Sequence, residues 1–247
     1  MSAYRGVLFD LFGTLVLVDE SRLSELTIDG RTTRTTLGDV VPLVQELIPE
    51  VAPAALWHAL RTVSAEMAAS REDTHVEHPS RERFRRALAT LGIHGAHGAE
   101  VAVALSRAHM RGIAAATVFP PSHAAVLAAA RRDGPVGVVS NFDDTATAYE
   151  ILRRHGILPH LATVVVSEAV GVRKPHPAIV REALRCVGVA ASEALFVGDT
   201  LGEDVAAAVA AGVDAAWIDR HGRGVPAGTP PPRYVLHALP DLLPVLA

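Results

Sequence analysis

The sequence is poor in cysteine, with Cys186 as the single one among 247 residues. One cysteine cannot form an intrachain disulfide or a cysteine-rich zinc or iron–sulfur site, which favours a reducing compartment. We expect Cys186 to pack as a small hydrophobic side chain. Stability must then come from a hydrophobic core, and 49% hydrophobic with 20% charged residues is the composition of a folded globular chain.

The chain also lacks a large excess of either charge and lacks long hydrophobic runs. Lys and Arg number 23 against 27 Asp and Glu, for a formal net charge of −4. Because generic nucleic-acid binding requires a strongly basic surface, we expect no nucleic-acid partner. The longest uncharged stretch, residues 112–130, is interrupted by Pro120 and Pro121, and residues 1–20 lack the apolar run of a secretory signal. We therefore expect a soluble, cytoplasmic protein without a membrane partner.

Short apolar runs alternate with segments of helical character in the second half of the chain. The apolar runs are residues 5–10, 136–140, 161–166, 194–197 and 215–218, and the helical segments are 145–155, 177–187 and 204–211. This alternation predicts an α/β fold, a doubly wound parallel sheet with helices on both faces. Functional residues of such folds gather beyond the carboxyl ends of the strands. We expect one more amphipathic element over residues 234–246.

A long insertion separates the first strand from the second. From Asp10 to Ser140 the numbering advances by 130 positions, whereas a strand–helix–strand unit needs about 30 residues. The excess predicts an inserted domain at residues 17–116, between core segments 1–16 and 117–247. Apolar residues at spacings of three and four predict a helical bundle in this insertion, over residues 41–48, 54–70, 80–91 and 99–116.

Some bulky and charged residues have an ordinary structural interpretation. We expect Trp57, Phe84 and Trp217 in the core. The arginine run of residues 81, 83, 85 and 86 is typical of a solvated helix face, although arginines of a lid could also contact an anionic substrate.

Polar residues stand at four predicted strand ends. They are Asp10 to Thr14, Ser140 with Asn141, Lys174 with Pro175, and Gly198 to Asp204. In this order and spacing they resemble the four motifs of the haloacid dehalogenase-like hydrolase superfamily, and the resemblance covers essentially the whole chain. It implies a Rossmann-like core with an α-helical cap.

The residue types themselves indicate magnesium-dependent phosphoryl transfer. Asp10 can attack phosphorus and form an aspartyl-phosphate. Mg²⁺, which prefers oxygen ligands, would be held by Asp10 and Asp199 and would reduce the repulsion from the phosphate. Thr14 and Ser140 would hold the transferring oxygens, and Lys174 would stabilise their charge.

The resemblance adds further assignments. It implies the backbone carbonyl of Phe12 as a metal ligand and Asp204 as the residue that orients metal-bound water, with Glu203 as its substitute. Phe12, Gly13 and Asn141 are expected to contact the substrate, a small phosphorylated or otherwise anionic molecule. The oligomeric state is not indicated.

Phe12 departs from the pattern, because phosphatases of this superfamily usually have a second aspartate at that position. That aspartate is the general acid, which increases the reaction rate by a factor on the order of 10² to 10⁴. Phenylalanine cannot transfer a proton. Three explanations are open. The leaving group needs little protonation, as in an acyl phosphate; another acid such as Asp19, Glu20 or His176 replaces it; or catalysis is weak.

Two alternatives to a phosphatase follow. Dehalogenases of the superfamily also have an aromatic residue at the position of Phe12, but those that resemble this chain lack the acidic residue at the position of Asp199. They also use an arginine where this chain has Val40 and Val41, with Arg31 and Arg34 out of register. The other alternative is a catalytically weak relative that binds a phosphorylated ligand or a protein.

Overall fold

The folded chain divides into two structural units. A computed structural model describes residues 4–247. One unit comprises residues 4–17 and 118–247, and the other comprises residues 18–117. The boundaries expected from the sequence fall one residue earlier at each junction.

The strands are short. In chain order within the described residues they are β1 (Gly6–Phe9), β2 (Leu17–Val18), β3 (Glu25–Ile28), β4 (Arg31–Arg34), β5 (Thr117–Val118), β6 (Val136–Ser140), β7 (Thr163–Val166), β8 (Ala194–Gly198), β9 (Asp214–Ile218) and β10 (Tyr234–Leu236).

The helices vary more in length. They are α1 (Val41–Leu47), α2 (Pro53–Thr74), α3 (Ser80–Thr90), α4 (Gly95–Ala116), α5 (Pro121–Asp133), α6 (Thr145–Arg154), α7 (Ser167–Val170), α8 (Ala178–Val187) and α9 (Ala206–Ala210). Single 3₁₀ turns cover Glu20–Arg22, Thr36–Asp39, Leu158–His160, Ala191–Glu193 and Leu239–Leu242, and a π-helical turn covers Leu201–Val205. Over residues 4–247, none of the helices combines the length and the apolar character needed to cross a membrane.

A six-stranded parallel sheet organises the first unit, as far as the structure describes it. Its strand order is β10-β9-β8-β1-β6-β7. Every residue of β1, β6 and β8 is buried, as expected for central strands that are covered by helices on both faces. The predicted doubly wound α/β fold is confirmed.

The strand order brings the predicted motifs to one edge of the sheet. The chain runs outward from β1 to β6 and β7, then returns to the other side of β1 for β8, β9 and β10. Asp10 follows β1, Ser140 ends β6 and Asp199 follows β8. Because β1 lies between β6 and β8, these three positions meet where the winding direction reverses, which is the usual ligand site of such sheets.

The second unit is mainly helical. Helices α1 to α4 occupy the segments where apolar spacing predicts helices. Their inward faces form one hydrophobic core that includes Leu60, Phe84, Leu88 and Leu105.

The second unit also contains a β-hairpin that the predicted helical bundle did not include. Strands β3 and β4 pair antiparallel, with Ile28 opposite Arg31. Asp29 and Gly30 form the turn with φ of 50° and 73°. Asp-Gly is a preferred pair for such a two-residue turn, so the signal was present in the sequence and was missed.

Four local expectations are corrected. Cys186 is exposed on α8 instead of packing inside, because it lies on the face of α8 that carries Glu182. Trp57 is only partly buried. The helix expected over residues 204–211 begins as a π-helical turn, and residues 234–246 form strand β10, which pairs with β9, and a 3₁₀ turn.

Candidate active site

Three carboxylates meet at the carboxyl edge of the sheet. Asp10, Asp199 and Asp204 each place a carboxylate oxygen within 4.8 Å of the others. Asp10 and Asp204 are buried, whereas Asp199 is partly exposed. Such a set of oxygen ligands is the kind that binds a hard divalent cation.

Lys174 lies between two of these carboxylates. Its Nζ donates to Asp10 Oδ1 at 2.6 Å and to Asp204 Oδ1 at 2.7 Å, and the Val139 carbonyl at 2.9 Å accepts a third hydrogen bond. All three donors of the ammonium group are therefore used. Burial would lower the pKa of Lys174, but Asp10 and Asp204 together raise that pKa above its usual value, so the side chain is charged.

One ammonium group does not balance three carboxylates. Burial raises the pKa of Asp10 to about 7, although Lys174 acts in the opposite direction, and Asp204 and Asp199 add to the increase. Burial, followed by the neighbouring Asp204, also raises the pKa of Asp199, while Arg220 lowers it. When ionised, the three carboxylates carry more negative charge than Lys174 and Arg220 neutralise. A divalent cation therefore fits the chemistry of this donor set.

Two glycines make the close approach of these carboxylates possible. Gly13 has φ of 78°, and a Cβ there would overlap the Asp199 carboxylate. A Cβ at Gly198 would overlap the Asp204 side chain. The Asp204 carboxylate also accepts a hydrogen bond from the Thr200 backbone N–H at 2.9 Å, which fixes the turn that carries it.

Two buried hydroxyl groups are left without partners at the same edge. Thr14 is 0% exposed and Ser140 is 1% exposed. Their Oγ1 and Oγ atoms form no hydrogen bond with any of residues 4–247. Because an unpartnered buried hydroxyl costs free energy, these two groups are suited to bind the oxygens of an anionic ligand.

The other predicted substrate-contacting residues have structural contacts. The ring of Phe12 packs against Phe142 with centroids 4.7 Å apart. Asn141 accepts a hydrogen bond from the Lys174 backbone N–H at 2.8 Å and donates to Glu203 at 2.9 Å. Asn141 therefore holds the segment that carries Lys174.

Among the described residues, Glu203 is not a member of the acidic cluster. Its carboxylate binds Asn141 and also accepts a hydrogen bond from Arg173 at 3.2 Å. Between the two acidic candidates of this motif, the geometry favours Asp204.

Two of the three alternative acids, Asp19 and His176, form local hydrogen bonds. Asp19 belongs to the unit of residues 18–117, where it caps the Glu20–Arg22 turn and binds Ser21 and Arg22. Hydrogen bonds from Ser21 lower the pKa of Asp19, which makes it a poor proton donor. His176 is exposed, and its Nδ1 accepts the Ala178 backbone N–H at 3.2 Å.

The sequence interpretation missed two residues that shape the site. Arg220, just beyond β9, donates to the Asp199 carboxylate at 3.3 Å and to the Gly13 carbonyl. Arg220 thus links the turn after β1 to Asp199, which is a candidate metal ligand. His123 of α5 is buried, and its Nδ1 donates to the Leu15 carbonyl at 2.8 Å, which holds the segment after Thr14. Neither residue belongs to a motif, so only the fold reveals them.

The whole set of motifs matches one family. A family model described as haloacid dehalogenase-like hydrolase matches residues 4–212. The chain belongs to this hydrolase family. The superfamily that the four motifs predicted is thereby confirmed.

Relatives of the family differ in the reaction that their names state. Phosphoserine phosphatase of Thermus thermophilus is 36% identical over 178 residues, which cover 71% of this chain and 67% of that protein. Phosphoglycolate phosphatase of Yersinia pseudotuberculosis is 32% identical over 130 residues, covering 52% and 55%. In fold, the chain is similar to a 2-haloacid dehalogenase from Pseudomonas syringae, with a TM-score of 0.71 and 24% identity over 98% of both chains.

Proposed function

We propose that this hydrolase is a magnesium-dependent phosphatase of a small phosphorylated metabolite, with Asp10 as the nucleophile. The observation that supports it most is the joint presence of the Asp10, Asp199 and Asp204 cluster and the unpartnered hydroxyls of Thr14 and Ser140. The first group is suited to a cation and the second to an anion, as phosphoryl transfer requires.

The relatives support a phosphatase more than a dehalogenase. The two relatives that are 36% and 32% identical in sequence are named as phosphatases. The dehalogenase is 24% identical, so its similarity concerns the fold. Halide displacement involves no phosphoryl group and needs no cation, so a cluster of Asp10, Asp199 and Asp204 that is suited to a cation favours phosphoryl transfer. The aromatic Phe12 is the feature that keeps dehalogenation as the second candidate.

In the proposed reaction, an oxygen of the Asp10 carboxylate attacks phosphorus and the bond from phosphorus to the leaving oxygen breaks. Thr14, Ser140 and Lys174 bind the oxygens of the transferring group, where negative charge is greatest in the transition state. Water then attacks the phosphorus of the aspartyl-phosphate, which releases phosphate and restores Asp10. Mg²⁺ held by Asp10, Asp199, Asp204 and the Phe12 carbonyl would supply charge neutralisation for these steps.

Phe12 limits the substrate class. Because Phe12 cannot protonate the leaving oxygen, substrates whose leaving group departs as a weakly basic anion, such as acyl phosphates, are favoured over alkyl phosphates.

We also propose that the unit of residues 18–117 is the cap of this hydrolase.

The test is phosphate release from acetyl phosphate and p-nitrophenyl phosphate, with and without Mg²⁺, by the wild type and Asp10→Asn. We expect metal-dependent turnover, faster with acetyl phosphate, and a loss of at least about 10³-fold in Asp10→Asn, because the amide is not a nucleophile. Chloride release from a 2-haloacid without metal would instead establish dehalogenation. Absence of both activities would leave a binding role.

A further inference from the structure

The helical unit of residues 18–117 contains a cavity of its own, with a volume of about 330 Å³. Helices α2, α3 and α4 and the Thr36–Asp39 turn all contribute to its lining. This volume lies at the lower end of the range for small-molecule sites, about 300 to 1,000 Å³.

Part of the cavity lining is apolar and aromatic. Leu60 and Phe84 are buried in the core of the unit, and Trp57 lies beside them, partly exposed. The sequence predicts Trp57 as a core residue, but its ring is part of the cavity lining. A partly exposed tryptophan beside a cavity offers a flat surface for a ring or a branched apolar group.

Two arginines also line the cavity. Arg61 lies one helical turn after Trp57, and Arg83 lines the cavity from α3. Within the part of the chain that the structure describes, no Asp or Glu lines the cavity. Arg61 forms no ion pair or hydrogen bond with any of residues 4–247, so its guanidinium group is available to a ligand.

A hydrogen-bonded chain fixes the position of Arg83. Its Nη2 donates to His109 Nε2 at 2.9 Å, and His109 Nδ1 donates to Thr36 Oγ1 at 2.5 Å. This arrangement requires a neutral imidazole, and burial, followed by the charge of Arg83, lowers the pKa of His109 to about 3. Arg83 therefore differs from Arg85 and Arg86, which bind Glu82 on the outside of α3 as a solvated helix face would.

We propose that this cavity binds a small organic carboxylate with an aromatic or branched apolar body. The apolar lining residues would hold the body, and Arg61 would hold the carboxylate through its planar pair of N–H donors. A monoanion fits better than a phosphate dianion, because Arg61 is the guanidinium group that the described contacts leave available. The neighbouring cavity of about 400 Å³ shares Trp57 and Arg61 but includes Asp29, whose negative charge disfavours an anion there.

The test uses phenylacetate as the probe and phenylacetamide as its neutral analogue, with the full chain. The sequence has two tryptophans, Trp57 and Trp217, so an indole ¹⁵N–¹H spectrum has two signals, which Trp57→Phe assigns. We expect phenylacetate to shift the Trp57 signal in a saturable manner and to leave the Trp217 signal in place. Phenylacetamide should bind at least about tenfold more weakly, because it lacks the charge.

Two variants separate the role of Arg61 from general charge effects. Arg61→Gln should weaken phenylacetate binding at least about tenfold. Arg107→Gln, at an exposed position of α4 outside the cavity lining, should leave the binding unchanged. Equal binding of acid and amide, equal binding to wild type and Arg61→Gln, or no shift of Trp57 at millimolar probe would each overturn the proposal.

The role of the bound acid is separated by kinetics. Competitive inhibition of p-nitrophenyl phosphate turnover would indicate that the cavity binds part of the substrate. A change in kcat alone would indicate that the cavity binds an effector. Binding itself is measured without any phosphate ester, so a failure of the proposed phosphatase activity would not affect the result.

Discussion

Asp199 is the partly exposed member of the three clustered carboxylates, and replacing it tests the proposed metal site without removing the proposed nucleophile. We predict that millimolar Mg²⁺ raises the melting temperature of the wild type but not that of Asp199→Asn. A ligand that binds only the folded state stabilises it, by about 2.7 kcal/mol when present at 100 times its Kd. For a chain of this size each kcal/mol corresponds to a rise of about 2 to 4 °C.

The control for this measurement is Glu203→Gln. Glu203 also carries a carboxylate and lies four residues after Asp199, but its carboxylate contacts Asn141 and Arg173. The magnesium effect should persist in this variant. If Asp199→Asn responds to Mg²⁺ as the wild type does, the acidic cluster is not the metal site.

Phe12 supports a second prediction at the residue scale. In Phe12→Asp, turnover of an alkyl phosphate should rise at least about tenfold, because a general acid contributes on the order of 10² to 10⁴ when it is well placed. Turnover of acetyl phosphate should change little, since its leaving group needs no proton. Phe12→Asn is the matched control, of similar size but unable to protonate the leaving oxygen. An equal response of both variants would rule out the proton-transfer explanation.

At the scale of elements, the hairpin of β3 and β4 depends on its turn. Gly30 has φ of 73°, and a Cβ at this position would meet no atom within 4 Å. Gly30→Ala should therefore lower the free energy of unfolding by about 1 to 2 kcal/mol, through backbone strain alone. Gly202→Ala is the control, because Gly202 is equally open but has no positive φ. Urea unfolding of both variants measures the difference, and equal stability would show that the turn carries no strain.

At the scale of the whole molecule, the half-buried His109 predicts a loss of stability in acid. Its pKa is lowered to about 3 in the folded state, against about 6.5 in an unfolded chain. The unfolded state therefore binds a proton first, so the stability from this residue is complete above pH 6.5 and is lost as the pH falls from about 6.5 towards 3. The loss is at most about 1.4 kcal/mol per pH unit.

The variant His109→Gln removes this titrating group and retains an acceptor for Arg83. The difference in unfolding free energy between pH 7 and pH 5, measured by urea unfolding, should be smaller in His109→Gln than in the wild type. An unchanged pH dependence would mean that the folded protein does not hold His109 as a neutral imidazole.

The order of residues along the chain was enough to predict much of this protein. Apolar runs that end in Asp10, Ser140 and Asp199 identify parallel strands, because a strand buried on both faces needs a continuous apolar sequence. Their spacing also predicts the insertion and its helices, because helical periodicity is a local property. The resemblance to the haloacid dehalogenase-like hydrolases depends on the same local motifs, and the family model confirmed it.

Tertiary structure alone decided which side chains meet. Arg220 and His123 are far from the motifs in sequence and contact Asp199, Gly13 and Leu15 only because the strand order brings β9 and α5 to them. The same holds for the cavity of the helical unit, where Trp57, Arg83 and His109 come from three helices. Local sequence determines which segments form strands and helices, whereas contacts between distant residues depend on packing that no short pattern encodes.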